Sequence, residues 1–500
     1  MINWRKFIGL SGLLCLIASI TFAQSYVESA LLFSRTRPGG SARIQGMGGS
    51  QIALGGDYSV GLSNPAGLGM YNRSEVTLTP AYSTYDVDAE YLGNFMKSST
   101  SKFIIPGLSL VLHMPMDKGG FVGGSFAVSL SRTNDFNRSI NYYGDNKETS
   151  IIDSFIDIAN GAPTAQFENE LYNTPTGLAY YNYLIGPASL IDQNFPDDEY
   201  FSDVKTVPYQ QEQIDTEGAS NQWSFSYGAN FKDKLFLGAG IGVSTLKFKS
   251  TKYYLENFDD PYLNYLDLDE FLDLKGNGIN ATLGAIVRPV DFLQVGVSFT
   301  TPTYYEFTET YEAAMSTSWK NFDYYGDGLT ILGEESASTD LITSDYSLTT
   351  PLKFSAGVAF LSEYGIITGD VEFTNPAKAK YSSNISGVSF DQDNDNIKAA
   401  YQSVVNYRIG GEFRYKLLRV RAGYGLQSSA LKDNFNLDNS IQTISGGIGV
   451  RLKKFFADFA LVHSNAKDYY QPYYVLDAPP PIVTLDNKTT TGMITFGLTF

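Results

Sequence analysis

The chain contains few residues of the types that carry out catalysis. Its two histidines, His113 and His463, lie in separate strand-like segments, and its single cysteine is Cys15. The sequence has neither a G-x-S-x-G nucleophile turn nor an H-E-x-x-H zinc motif. We interpret both histidines as ordinary strand positions, with haem binding or hydrolysis as the alternatives. The sequence therefore predicts a protein that is not an enzyme and has no cofactor.

One acidic run has the spacing that begins a calcium loop. Asp391, Asp393 and Asp395 alternate as they do in an EF-hand. Such a loop needs Gly at its sixth position and Glu at its twelfth, where this chain has Asn396 and Gln402. We therefore interpret the run as a solvated acidic loop and predict no metal site.

The N-terminus has the three parts of a secretory signal peptide. Arg5 and Lys6 supply positive charge, residues 7–22 form an apolar run, and Ala23 ends the segment with a small residue. A transmembrane anchor is the alternative, for which the run is short. Removal of residues 1–23 would also remove the cysteine, so the exported chain is expected to form no disulfide.

The composition is typical of an exported, aromatic-rich β-protein. Aromatic residues make up 14% of the chain and charged residues 18%, below the roughly 25% of soluble domains. The formal net charge is −17 and there is no basic patch, which argues against nucleic acid as a partner. After the leader, no apolar run approaches the roughly 18 residues of a membrane-spanning helix. These features favour an all-β transmembrane barrel in the outer membrane of a Gram-negative bacterium.

Strand-like alternation recurs along most of the chain. Residues 223–231 and 235–243 alternate apolar with small or polar side chains, and residues 409–416 and 420–427 repeat the pattern. We count 14 or 15 such segments, in which short turns alternate with long connections, as in membrane barrels. Periodicity alone leaves open which face is buried, so a secreted β-sandwich or propeller stays an alternative. Long connections near residues 135–220, 249–278, 305–345, 376–400 and 464–489 are predicted to be extracellular, as loops and as strands that project above the bilayer.

A glycine-rich stretch at residues 46–70 precedes the first strand. Its eight glycines are too many for a regular strand, while its apolar residues require burial. Asn64-Pro65 marks a sharp turn, because proline fixes its own backbone and restricts the residue before it. A barrel of about 14 strands encloses more space than its own side chains fill. We therefore predict that this stretch is a compact plug inside the barrel.

The last strand-like segment ends with the chain itself. Ile494, Phe496, Leu498 and Phe500 share one face. A terminal Phe in an alternating strand resembles the signal that outer-membrane barrel-assembly machinery recognises. We therefore expect that machinery as a partner through Phe500, with outer-membrane lipid and lipopolysaccharide around the barrel.

Residues 46–70, with the motif Asn64, Pro65, Ala66 and Gly67, resemble the N-terminal hatch of the FadL/TodX family of outer-membrane transporters of hydrophobic compounds. This resemblance implies a barrel of about 14 strands with a hatch in its lumen. It also implies passive import of long-chain fatty acids or other hydrophobic compounds such as aromatic hydrocarbons. The implied division is a hatch over residues 24–72 and a barrel over 73–500. Further segments that resemble the family are 295–307, 351–360, 369–373 and 407–427.

The family resemblance also implies a route for the substrate. It would be captured in an extracellular apolar groove and released sideways through the barrel wall at an inward kink of the third strand. Gly123-Gly124 lie in the predicted third strand, and adjacent glycines permit a bulge or kink. The alternative is that they are ordinary lumen glycines that pack against the plug.

A second function fits the same architecture. The chain would then be a non-transporting barrel that acts as a scaffold in a protein-secretion system, and its long insertions would bind partners. A transporter is expected to have an apolar pocket beneath the extracellular loops. A scaffold is expected to have a flat apolar or aromatic patch the size of a protein partner.

Overall fold

The computed structural model describes residues 26–169, 171–191, 195–432 and 437–500. The predicted signal peptide lies outside the described residues. Within these ranges, every helix is too short or too polar to span a membrane.

The described chain is mainly antiparallel strand. The strands are β1 (Glu75–Tyr91), β2 (Asn94–Lys118), β3 (Phe121–Asp135), β4 (Arg138–Asp145), β5 (Gly186–Pro187), β6 (Tyr200–Phe201), β7 (Pro208–Phe231), β8 (Leu235–Phe258), β9 (Leu263–Val290), β10 (Leu293–Thr300), β11 (Tyr304–Asp323), β12 (Ile331–Ser338), β13 (Ile342–Thr349), β14 (Lys353–Ser362), β15 (Gly365–Thr374), β16 (Lys380–Ser382), β17 (Val404–Tyr415), β18 (Leu418–Gln427), β19 (Ile441–Arg451), β20 (Phe455–Tyr470) and β21 (Val483–Thr499).

The sheet closes on itself because β1 pairs with both β2 and β21. In the described part of the chain, fourteen strands complete the ring, which confirms the predicted barrel. The ring follows the order β1, β2, β3, β7, β8, β9, β10, β14, β15, β17, β18, β19, β20 and β21.

Short helices occupy the N-terminal segment and the longer connections. They are α1 (Tyr26–Ser34), α2 (Ala42–Gln45), α3 (Val60–Ser63), α4 (Ile151–Ala159), α5 (Thr164–Asn169), α6 (Pro175–Tyr181) and α7 (Asp391–Ala400), with 3-10 turns at Pro65–Met70, Ala188–Leu190 and Pro376–Lys378. The acidic run at 391–395 therefore begins a helix, α7, and the interpretation of that run as a loop was wrong.

Side-chain direction distinguishes this barrel from a soluble sandwich. On β8, Leu237 and Ile241 point outward and are 43% and 54% exposed, whereas Ser224 and Ser226 on β7 are buried. Apolar residues outside and small polar residues inside are typical of a strand that faces lipid. Tyr82 and the paired Phe103 are exposed at one edge of this apolar belt. The belt is therefore a membrane-spanning surface, and the sandwich alternative is excluded.

The two ends of the barrel differ. At one end, here called the turn end, tight turns join the strands and the backbone N–H of Phe500 donates to Ser74 O at 3.0 Å. At the other, the loop end, β8 and β9 continue well beyond the belt, for 24 and 28 residues in all. The connections predicted near 249–278 and 305–345 are thus mainly paired strands that project beyond the belt and not loops.

Beyond the belt the side-chain pattern reverses. On β8, Leu246 and Phe248 point inward and are buried, whereas Lys247 and Lys249 point outward and are exposed. The strands here therefore enclose an apolar core, as in a water-soluble protein. Buried residues of α1, α4 and α6 also contribute to that core. Polar residues on the outward face of these strands resemble a loop in composition, although the alternation continues with the apolar residues inside.

Candidate functional site

Residues 42–71 lie inside the barrel at the level of the apolar belt. Most are buried, and their backbone packs directly against glycines of the surrounding strands. A Cβ atom on Gly238 would overlap Ala66 N, and one on Gly423 would overlap Gly48 N. Glycines on the lumen face thus make room for backbone-to-backbone contact. The strands that contribute such glycines include β7, β8, β9, β10, β17 and β18.

The motif at residues 64–67 forms a turn that is held by side-chain hydrogen bonds. The Asn64 Oδ1 accepts from Ala66 N at 3.3 Å, and Pro65 begins the following 3-10 turn. The Asn64 Nδ2 donates to Ile52 O at 2.6 Å, which ties two parts of the segment together. Asn64 is fully buried, so these bonds also satisfy its polar atoms.

A carboxylate on the barrel wall binds backbone N–H groups of residues 51 and 52. The Asp370 Oδ2 on β15 accepts from Gln51 N at 2.6 Å and from Ile52 N at 3.0 Å. Two charge-assisted bonds to backbone N–H groups are stronger than neutral ones, so they fix the height of residues 51–52 in the lumen.

A buried ion cluster joins the segment to the wall near the turn end. The Arg43 Nε of α2 lies 3.5 Å from Glu412 Oε2, and its Nη1 lies 3.9 Å from Asp57 Oδ2. Glu412 also accepts from Arg421 Nε at 2.7 Å, and Arg421 Nη1 donates to Asp458 at 2.8 Å. Buried ion pairs add little net stability but are costly to break by removal of one partner. The cluster therefore fixes the position of α2.

Two cavities flank residues 36–40 in the lumen. Cavity A has a volume of about 130 Å³ and is bounded by β1–β3 and β18–β21. Cavity B has a volume of about 100 Å³ and lies against β9, β10, β14 and β15. Cavity A is close in volume to the apolar cavity of about 150 Å³ that takes up benzene, and it is too small for an extended acyl chain.

The barrel wall beside cavity A is interrupted. At Pro80 β1 leaves both ladders, because the register with β2 shifts between Thr79 and Ala81 and the pairing with β21 lapses at the same place. Pro106, opposite on β2, lines cavity A. Neither proline has an N–H to donate, so hydrogen bonding across the wall is weakest here.

A tyrosine of the N-terminal segment lies against this interruption. The Tyr58 OH is 3.2 Å from Thr79 Oγ1, and it occupies the space that a Cβ on Gly107 would fill. Tyr58 is 1% exposed. Its ring therefore covers the inner side of the wall just on the turn side of Pro80.

Gly123 and Gly124 lie in β3, near the turn end. A bulge falls between Phe121 and Gly123, and Gly123 has φ +154°. A Cβ on Gly124 would overlap the hydroxyl of Tyr227, so that tyrosine covers it. Cavity A is lined by neither glycine. The lateral exit at these residues stays a prediction.

Around α1, the interior of the loop end is filled by the chain itself. Phe33 of α1 packs against Phe136, Phe248 and Phe307, with ring centroids 5.6–5.7 Å apart. The cavity beside Phe33 and Tyr346 measures about 10 Å³. The apolar space that a substrate would occupy beneath the loops is thus taken up by α1 at this point.

One buried carboxyl group attaches α4 to the wall at the loop end. Glu256 on β8 is fully buried and accepts from Ile151 N at 2.9 Å and from Tyr254 OH at 2.7 Å. It also accepts from Gln210 Nε2 at 2.6 Å. Burial raises the pKa of Glu256 to about 7, and the hydrogen bonds it accepts only partly oppose that rise.

The two histidines are wall positions. The His113 Nδ1 on β2 lies 3.2 Å from Ser125 Oγ, and the His463 Nδ1 on β20 lies 2.9 Å from Thr490 Oγ1. Among the residues that the structure describes, no three His, Cys, Asp or Glu side chains form a group able to hold a metal ion.

Comparison with known proteins identifies the fold. No protein-family model and no curated protein sequence matches the chain. A FadL homologue of Pseudomonas aeruginosa matches with a TM-score of 0.52 and 12% identity, over 93% of this chain and 99% of its own. The Ralstonia pickettii toluene transporter TbuX matches with a TM-score of 0.51 and 15% identity, again over 93% and 99%. At such low identity the likeness is one of fold, and it confirms the barrel architecture that the sequence resemblance implied.

Sequence reasoning missed three parts of the site. Arg43 and its partners are far apart in the chain, and Tyr58 gave no local signal. The interruption was readable, because Pro80 and Pro106 lie within strand-like segments, where proline marks an edge or a bulge.

Proposed function

We propose that the protein is a passive outer-membrane transporter of hydrophobic compounds in a Gram-negative bacterium, with residues 24–72 as its hatch. Short turns face the periplasm in such barrels and longer connections face outward. The turn end is then periplasmic and the loop end extracellular. The fold shared with FadL and toluene transporters supports this assignment.

The observation that carries the proposal is the position of cavity A. It lies between the hatch and the wall, directly beside the interruption at Pro80 and Pro106. An apolar solute in this cavity is a short distance from the lipid. Because each buried CH₂ group stabilises an apolar solute in lipid by about 0.8 kcal/mol, sideways release is favoured over passage through a polar lumen.

The hatch would then have two roles, to block water and to leave a path to the membrane. Residues 42–71 block water at the level of the belt, while the gap beside Tyr58 leads into the membrane. We place the lateral exit between β1 and β2 because cavity A reaches the wall there. The bulge at Gly123-Gly124 on β3 is the alternative exit, and the two are distinguishable by mutation.

Uptake by cells tests the proposal. Gram-negative cells without transporters of their own for these compounds would produce the wild type, Thr491→Phe or Thr490→Phe, and uptake of labelled toluene and of a labelled long-chain fatty acid would be measured. Thr491 lines cavity A, whereas Thr490 points away from it and contacts His463. We expect the wild type to raise toluene uptake, Thr491→Phe to abolish the gain, and Thr490→Phe to retain it.

Other outcomes would separate the parts of the proposal. Normal uptake by Thr491→Phe would remove cavity A from the path. Loss of uptake in a Gly124→Val variant, with Thr491→Phe unaffected, would move the exit to β3. If the wild type raises uptake of neither compound, the transport proposal is wrong.

The scaffold function is the second candidate, and the loop end supports it. The core there is closed by α1, α4 and α6, and apolar side chains remain exposed beyond it. Ile191 and Leu329 are 68% and 85% exposed. Cross-linking in intact cells, from a photoreactive residue at Leu329, would test for a protein partner; a single discrete cross-linked product supports the scaffold, and none argues against it.

A further inference from the structure

Arg37 is an arginine in the lumen that forms no ion pair with any described residue. It lies in the strap of residues 36–40 between the two cavities and lines both of them. Its backbone N–H donates to Thr133 O at 2.7 Å. Among the described residues, its guanidinium makes no hydrogen bond or ion pair. Because a charged side chain inside a membrane protein is costly, such a residue indicates a functional site by default.

The other charged groups around the cavities have partners of their own. The Arg132 Nη1 lies 2.6 Å from Asp135, and the Arg408 Nη2 lies 3.3 Å from Glu372. Lys353 donates to Thr36 Oγ1.

The remaining carboxylate, Asp370, is occupied by backbone N–H groups of the hatch. Among the described residues of the two linings, Arg37 and Lys353 are thus the cations without an ion pair, and of these Lys353 has a side-chain hydrogen bond whereas Arg37 has none. This surplus stands out in a chain whose net charge is −17.

The wall residues that line cavity A include apolar side chains among serines and threonines. Ile104, Leu426, Val462 and Met493 line cavity A together with Pro106. A guanidinium group presents paired N–H donors in a planar fork that matches a carboxylate. Cavity A thus combines a free anion-binding group at the strap with a ring-sized apolar space against the wall.

We propose that Arg37 binds the carboxylate of an amphiphilic substrate whose apolar body, about the size of one aromatic ring, occupies cavity A. The inference rests on the proposed transport function and names its substrate class, a small aromatic carboxylate. The carboxylate would be the counter-ion that Arg37 lacks. The ring would replace water at the apolar side chains of the wall. Arg37 then discriminates between a charged compound and its uncharged counterpart of the same shape.

Binding of two matched probes tests this inference. p-Toluate and p-xylene have the same ring and differ by a carboxylate in place of a methyl group. Their binding to the full-length exported chain in lipid nanodiscs would be measured at neutral pH, with empty nanodiscs subtracted. The variants are Arg37→Gln, Arg37→Lys and the control Arg73→Gln. Arg73 is an arginine away from both cavities that donates to Lys453 O at 3.2 Å.

We expect Arg37→Gln to weaken p-toluate binding about tenfold to a hundredfold, as for loss of a hydrogen bond to a charged group, and to leave p-xylene binding within about twofold. The p-toluate affinity of Arg37→Lys should lie between those of the wild type and Arg37→Gln, because lysine keeps the positive charge but lacks the paired N–H donors of the guanidinium. Arg73→Gln should match the wild type. A heat-dependent mobility shift in gel electrophoresis would establish that each variant forms the barrel.

Two results would overturn the inference without touching the transport proposal. They are p-toluate binding by Arg37→Gln at the wild-type affinity, and binding of p-xylene with no binding of p-toluate. If the wild type binds neither probe, cavity A takes up no ring-sized compound, and both the inference and the proposed use of cavity A fall.

Discussion

Removal of Arg43 from the ion cluster should release the proposed hatch from the wall. Arg43 contributes to the cluster from α2 and lies 3.9 Å from Asp57 of the same lumen segment, whereas Glu412, Arg421 and Asp458 belong to the wall strands. When the hatch moves away, Arg43 and Glu412 separate and both gain access to water. An Arg43→Gln variant therefore loses the contact with Glu412 in the closed state alone, whereas the contact with Asp57, inside the segment, is lost in both states.

The structure sets the size of this effect. Breaking a buried ion pair by removal of one partner costs about 3–5 kcal/mol. In Arg43→Gln, Glu412 keeps Arg421 at 2.7 Å and Arg414 at 2.8 Å, which places the cost near 3 kcal/mol. Since 1.4 kcal/mol is a factor of ten, the displaced population should rise about a hundredfold. Glu412→Gln leaves three arginines, Arg43, Arg414 and Arg421, without their shared carboxylate, so their charges repel one another and its effect should be larger.

Ion conductance of single proteins in planar bilayers measures this population. The wild type should open rarely, and Arg43→Gln should raise the open fraction about a hundredfold. The double variant Arg43→Gln/Glu412→Gln should open less often than the two single effects added together, because the residues are coupled. Arg73→Gln, outside the cluster, is the control.

Additive effects of the two substitutions would refute the reasoning, because they would mean that Arg43 and Glu412 do not interact. An open fraction unchanged in Arg43→Gln would show that the cluster does not hold the hatch. Conductance that rises equally in Arg73→Gln would indicate a general weakening of the barrel.

Two further predictions follow from contacts of the hatch and of the loop end. Gly238→Val should overlap Ala66 N and lower the thermal stability of the barrel, since overpacking costs about 1–3 kcal/mol, whereas Gly492→Val, with no atom within 4 Å of its Cβ, should have little effect. The raised pKa of Glu256, about 7 against 4.5, means that the folded protein holds a proton which the unfolded chain releases between these values. Stability at α4 should therefore fall as the pH rises through that window, and Glu256→Gln should remove the fall. Hydrogen exchange of α4 amides, corrected for the intrinsic rate, measures this; a pH dependence unchanged in Glu256→Gln would contradict it.

Part of the architecture could be predicted from local patterns. Alternation along residues 223–231 and 235–243 identifies β7 and β8 because side chains on a strand point to opposite faces in turn. The glycines of residues 46–70 exclude a strand by their backbone freedom, and the same residue type on the wall strands leaves space for them. The turn at Asn64-Pro65 follows from the restricted backbone of proline.

Other features depend on which segments meet. Alternation on β8 runs unbroken from Leu237 to Phe248, yet the apolar residues face outward at Leu237 and inward at Phe248. Only the surroundings distinguish these cases, because lipid and a protein core are both apolar. The sequence does not divide the long connections into strands and loops for a related reason, because the partners that pair with each extension lie on other strands.

The sequence by itself determined that the chain is an alternating β-protein with a buried glycine-rich segment, since both follow from local geometry and from the burial of apolar side chains. The tertiary structure decided the candidate site. Arg43 meets Glu412, and Tyr58 meets the gap beside Pro80, through contacts between residues distant in the chain. Arg37 could be identified only from the structure, because a charge without a counter-ion is recognised from the contacts of the residues around it and not from the residue type.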